Sequence, residues 1–278
     1  MRLDIKKTYK LFIGGQFPRS ESGRSYEITS PRGEFLANAA QASRKDLRDS
    51  VVAARSAFSN WSSATAFNRG QILYRIAEIM EGRRDQFIAE IASCEGATSK
   101  KSSEQVDAAI DLWVWYAGWC DKYASIAGSQ NPIAGPFYNF TTPEPLGVVG
   151  AIADQKSSLL GLVHAIAPII TSGNCAVVIA HERAPLSAIT LGEVLATSDL
   201  HAGVVNLLTG KVSELSPWLA AHMDVDGIDL SGVARKNIGE LQHVAAENLK
   251  RCHSFTGESL ERILAFTESK TVWHPIGV

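Results

Sequence analysis

A thiol beside an imidazole is the simplest arrangement that makes a protein nucleophile, because the base draws the thiol toward its reactive thiolate. Cys252 and His253 are such neighbours. Adjacent side chains in a strand point to opposite faces, however, so the pair is expected to stay apart. The other cysteines, Cys94, Cys120 and Cys175, are far apart in sequence and form no CxxC pair. That pattern argues against a metal site or a disulfide framework and for reduced, mostly buried thiols. His164 sits in an apolar run and Cys175 heads another, so both read as core groups. No catalytic residue and no metal ligand is assigned.

The elements that would position any site begin with short strands. KLFIGGQF reads as a strand turning at Gly14 and Gly15, followed by the extended stretches SYEIT and EFLANAA. From Ser43 the period becomes helical. Ser43 and Asp46 form a capping-box signature, and Leu47, Val51, Ala54 and Phe58 recur on one face. A second helix carries Ile72, Leu73, Ile76, Ile79 and Met80, and a third closes at Gly96. A fourth, starting near Ser102 and Ser103, repeats Val106, Ile110, Trp113, Ala117 and Cys120. Its tryptophans are at core spacing and are not assigned to a ligand cage.

After an isolated strand, PFYNFTT, the chain alternates from Leu146 onward. Apolar strands LGVVGAIA, NCAVVIA and GVVNLLTG, and a fourth in DVDGIDLSG, are separated by helical runs. Buried strands spaced by helices predict a doubly wound parallel sheet, an α/β fold of Rossmann-like kind. Such sheets bind ligands beyond their carboxyl ends.

The balance of 27 Lys+Arg against 29 Asp+Glu leaves a net charge of −2, which excludes the footprint of a nucleic-acid binder. The charged N-terminus is neither a secretory signal nor an anchor, and the apolar run Leu159–Ile170 is too short to cross a bilayer. The expectation is a soluble cytoplasmic protein with no membrane and no nucleic-acid partner.

The runs EPLGVVGAIA, HAIAPIITSGNCAVVIAHERAP, GVVNLLTG and AAHMDVDGIDLSG, with the opening FIGGQF and YEITSPRGE, together resemble the aldehyde dehydrogenase superfamily in order and spacing. The resemblance implies an aldehyde dehydrogenase-like α/β fold with a doubly wound parallel sheet, N-terminal helices and oligomerisation strands. It divides the chain into a hairpin and helical part (1–135), an oligomerisation strand (136–144), a Rossmann-like sheet (145–248) and a C-terminal tail and strand (249–278).

The departures from that family gather where its chemistry lies. Its Pro-Trp-Asn segment, whose asparagine helps hold an oxyanion, matches Asp154, Gln155 and Lys156. Its Lys-Pro-Ser-Glu segment, which holds a ribose, matches Ile179, Ala180, His181 and Glu182, so only the glutamate remains. A missing charge-assisted contact of that kind costs about 1.5–3 kcal/mol, a tenfold to hundredfold loss of affinity. Ser216 stands where a second glycine is expected near the pyrophosphate, and the Phe-Thr-Gly-Ser turn matches Leu230, Ser231, Gly232 and Val233. Glu182, Gly210 at the end of GVVNLLTG, and Gly232 are the candidate remnants of a cofactor site, with NAD bound weakly or not at all.

After AAENLKR, the family's Glu-Leu-Gly-Gly-Lys segment with its general base is replaced by CHSFTGESLERILAFTESKTVWHPIGV. No cysteine has the Gly-Gln-x-Cys setting of the family nucleophile, and FTESKTVWHPIG resembles the family's C-terminal strand. The resemblance extends to tandem aldehyde dehydrogenases whose second copy is degenerate. The expectation is therefore a non-catalytic homologue acting as an accessory or structural subunit, alone in self-association or with an intact aldehyde dehydrogenase. The edges Phe137–Thr142 and Ser269–His274 would need pairing. Two alternatives stand beside it: an NAD-dependent oxidoreductase acting on aldehydes, and an NAD-sensing binding module.

Overall fold

The computed structural model describes Leu3 and residues 5–277. Three short strands open it: β1 (Thr8–Tyr9), β2 (Ser25–Thr29) and β3 (Phe35–Ala40), with β3 central, parallel to β1 and antiparallel to β2. Gly14 and Gly15, at φ 58° and 74°, make the tight turn between Ile13 and Gln16 that other residues would resist.

Five helices follow: α1 (Arg44–Ser63), α2 (Ala66–Gly82), α3 (Arg84–Glu95), α4 (Ser99–Trp119) and α5 (Tyr123–Ala127). The Ser43–Asp46 capping box is formed in both directions, and Gly96 ends α3 in the left-handed region at φ 67°. The fourth helix starts three residues before Ser102, because Thr98 accepts the amide of Lys101 and sets an earlier cap. Trp61 and Trp113 are fully buried, and the Trp61 indole donates to the Ile170 carbonyl at 3.0 Å. Trp115 packs on Trp119 and Tyr116.

The second half alternates as its pattern predicts. It runs through β4 (Ser129–Gln130), β5 (Phe137–Pro145), β6 (Val148–Ile152), α6 (Leu160–Thr171), β7 (Cys175–Ile179), α7 (Leu186–Leu195), β8 (Val205–Leu208), α8 (Val212–Ala221), β9 (Gly227–Asp229), α9 (Arg235–Ala246), β10 (Arg251–His253), α10 (Glu261–Leu264) and β11 (Thr267–Pro275). A five-stranded parallel sheet has the order β10-β9-β6-β7-β8. Every residue of β6, β7, β8 and β9 is buried, so two helical layers cover the sheet. The fifth strand comes from residues 251–253, inside the segment that sequence reading gave to the tail, because three residues are too few to show an apolar run.

β11 returns antiparallel along β5 over nine register pairs, from Thr267↔Pro145 to Pro275↔Phe137. The two edges expected to seek partners therefore pair with each other within one chain. β4 covers only Phe140 and Thr141 on the far side of β5, and β11 has no strand on its outer edge among the described residues.

Candidate functional site

The carboxyl ends of β6, β7 and β9 are where a doubly wound sheet offers a cleft. Beyond β6, the Asp154 carboxylate accepts the Lys156 amide at 3.2 Å, turning the loop back on itself. The Gln155 side chain donates to the Ala153 carbonyl at 2.7 Å and accepts the Glu182 amide at 2.9 Å. His181 answers from the loop after β7. Its Nδ1 accepts the amides of Arg183 and Ala184, so Nε2 carries the proton and donates to the Gln155 carbonyl at 2.9 Å. Burial pushes this imidazole below its ordinary pKa, which keeps it neutral. The two loops are thus laced together across the mouth between β6 and β7.

Each candidate residue has a specific environment. The Glu182 carboxylate accepts the Val212 amide at 2.9 Å, at the first turn of α8, where the helix dipole favours an anion. Its carbonyl accepts the Tyr26 hydroxyl at 3.1 Å, and burial, with Glu182 adding to it, pushes the Tyr26 phenol upward. Gly210 has φ 143°, and a Cβ there would approach the Ala42 amide nitrogen to 3.3 Å. Gly232 donates its amide to the Ile152 carbonyl at 3.0 Å, and a Cβ would lie 2.0 Å from the Ala153 oxygen. That glycine lets the end of β9 lie against β6. Ile179 is fully buried, and Ser216 is buried within α8. The three candidates therefore lie beyond the carboxyl ends of β7, β8 and β9, each engaged in packing within the chain.

None of the four cysteines is set as an activated thiol. Burial pushes Cys94 up to about 11 and Cys120 and Cys175 up to about 12. Cys252, also shifted upward by burial, turns its sulfur toward the Lys250 carbonyl at 3.8 Å, while the His253 ring stacks on Phe255 at 5.6 Å. Among the described residues no three His, Cys, Asp or Glu side chains are grouped to hold a metal ion, and no helix is long and apolar enough to cross a membrane.

The largest surprise is a buried ion pair. Asp229, the last residue of β9, meets Arg262 of α10 at 3.3 Å, with both side chains almost wholly out of water. Burial raises the Asp229 carboxyl above its ordinary pKa; hydrogen bonds from Ser231 and then the Arg262 charge act against that rise. Arg262 also donates to the Gly257 and His164 carbonyls and lies over the Phe255 ring at 4.9 Å. The segment after β10 is thereby fastened onto the sheet. A charged residue inside the apolar run GIDL was the signal that sequence reading passed over.

The family model for the aldehyde dehydrogenase family matches residues 17–259. The chain belongs to the aldehyde dehydrogenase family. It is 35% identical over 262 residues to retinal dehydrogenase 2 of Gallus gallus, covering 90% of this chain and 49% of that protein. It is 31% identical over 257 residues to omega-crystallin of Enteroctopus dofleini, covering 90% and 50%. Among solved structures, HpcC from Thermus thermophilus superposes with a TM-score of 0.85 at 29% identity, over 90% of this chain and 48% of that one. An NAD+ complex of aldehyde dehydrogenase from Bacillus cereus gives a TM-score of 0.83 at 26% identity, over 88% and 50%. The chain spans about half the length of the relatives it matches, and its five-stranded parallel sheet is that family's fold.

Proposed function

We propose that this chain is a non-catalytic aldehyde dehydrogenase homologue that works by assembly, pairing with further copies of itself or with an intact aldehyde dehydrogenase. The observation that carries the reading is the β11–β5 ladder. It presents a nine-residue strand with an open outer edge, and Trp273, Tyr138 and Phe137 are exposed on it. Open edges with exposed aromatic side chains favour strand addition or burial against a partner.

The cleft supports the non-catalytic part of the reading. The residues present do not fit NAD as the resemblance would have it. The ribose-holding lysine is the buried Ile179, Glu182 is bonded to the α8 amide, and Gln155 and His181 bridge the cleft mouth. No thiol here has a lowered pKa to open attack on an aldehyde.

The test is the mass of the purified full chain over a broad concentration range, together with recovery of the tagged chain from its own host. Self-assembly, or an intact aldehyde dehydrogenase in fixed ratio, is expected. A monomer at all concentrations that captures no such enzyme removes the reading.

The names of the relatives and the NAD+ complex of the Bacillus cereus neighbour favour a second reading, an NAD-dependent oxidoreductase acting on aldehydes. It requires saturable NAD binding and aldehyde-dependent reduced cofactor, both lost in Glu182→Ala. The absence of any NAD-induced stabilisation eliminates it. NAD binding without turnover would leave a sensing module instead.

A further inference from the structure

We infer that the groove between the first turns of α1 and the end of α8 is a binding site for an aromatic phosphate monoester. The space has a volume of about 590 Å³, within the range of small-molecule sites. It shares no lining residue with the cavity at the carboxyl ends of β6 and β9. Glu182, Gly210 and Gly232 do not line it either, so it is separate from the cleft described above.

Its wall carries four cations, Arg24, Arg44, Lys45 and Arg48, against one carboxylate, Glu21. Three of the cations already have an acid: Arg24 meets Glu214 at 2.8 Å, Lys45 meets Glu21 at 3.4 Å and Arg48 meets Asp49 at 3.1 Å. Arg44 has none. Among the described residues its exposed side chain makes no hydrogen bond or ion pair. The Asp46 carboxylate of the same turn is engaged by the Ser43 and Glu21 amides and the Ser20 hydroxyl. A free guanidinium presents a permanent charge and a fork of N–H donors that fits phosphate oxygens.

Two further donors line the same space without an acceptor. Burial lowers the His222 pKa, and the Lys250 and Arg44 charges add to that against Asp224, so the ring is neutral. Its Nδ1 accepts the Asp224 amide at 3.2 Å, which leaves the proton on Nε2. Among the described residues that N–H has no partner, and neither has the indole N–H of half-buried Trp218, one turn earlier. Three donors and no matching acceptor select an anion with several acceptor oxygens, which a phosphate monoester supplies. The Trp218 indole, with Leu47 on the same wall, gives an aromatic ring a surface on which to stack.

The test uses the full chain and calorimetric titration with 1-naphthyl phosphate, 1-naphthol and inorganic phosphate. Saturable binding of 1-naphthyl phosphate is expected, with 1-naphthol and inorganic phosphate at least tenfold weaker. Arg44→Met, at an exposed position, is expected to weaken it at least threefold with an unchanged melting temperature, and Trp218→Leu to weaken it by a similar factor. Arg235→Met, on the wall of the cavity beyond β6 and β9, is expected to leave binding as it was. No binding of 1-naphthyl phosphate, equal binding of 1-naphthol or of inorganic phosphate, indifference to Arg44→Met or to Trp218→Leu, or a loss in Arg235→Met would each overturn the inference. Assembly is measured separately by mass, so either proposal can fail without the other.

Discussion

Two of the three sheets among the described residues are built by opposite rules. The parallel sheet has no exposed residue in β6, β7, β8 or β9, and its helices cover it on both faces. The β11-β5-β4 sheet is mostly exposed, with Trp273 58% accessible near its open edge. One sheet is finished by its own chain, and the other has surface left over. Damage to the first should therefore be read in stability, and damage to the second in association.

The strongest way to break that contrast is Arg262→Met. It leaves Asp229 as a buried charge without its counterion, a loss of about 3–5 kcal/mol. The pH dependence has a defined sign. Burial already places the Asp229 pKa above its unfolded value, and losing the Arg262 charge raises it further. Stability tied to the protonated carboxyl is present below the unfolded pKa and is lost as pH rises through the folded one. Thermal melting of Arg262→Met should thus recover on acidification, and the double variant Asp229→Asn with Arg262→Met should be more stable than Arg262→Met alone. Equal melting of the wild type and Arg262→Met would show that the pair does not hold the tail.

Next in size is Gly232→Ala. Its Cβ would collide with backbone rather than with a flexible side chain, so an overpacking cost of about 1–3 kcal/mol is expected in denaturant melts. A neutral result would mean that the end of β9 can draw away from β6.

The open sheet should answer differently. Trp273→Ser is expected to move stability by less than about 0.5 kcal/mol, as exposed substitutions do, while sedimentation shows a smaller assembly. Smallest of all is Lys270→Ala. It removes an exposed cross-strand ion pair with Glu144 at 2.8 Å, worth about 0.2–1 kcal/mol, and the effect should fade in salt.

Much of the closed sheet was legible because its signal is local. Continuous apolar runs, the Ser43 capping box and the turn at Gly14 and Gly15 each report their own structure within a few residues. What escaped depends on distant partners. That Glu182 would bond α8, that His181 would lace to Gln155, and that Arg262 would cross to Asp229 are contacts spanning 30, 26 and 33 positions. No period or spacing records them. β10 was missed for a related reason: its three half-buried residues are a strand only because β9 lies beside them.

The β11–β5 ladder joins side chains 126 and 130 positions apart, as between Lys270 and Glu144 or Thr271 and Thr141. Closing so long a loop gives no return until the intervening sheet exists, so this ladder is expected to form late and open first. An opened β11 leaves its own β5 bare, and the best complement to that vacancy is the β11 of another copy. Exchange of a strand between identical chains needs no new interface, only a moment when both are open. The same late step that finishes one molecule is then the step that could join two.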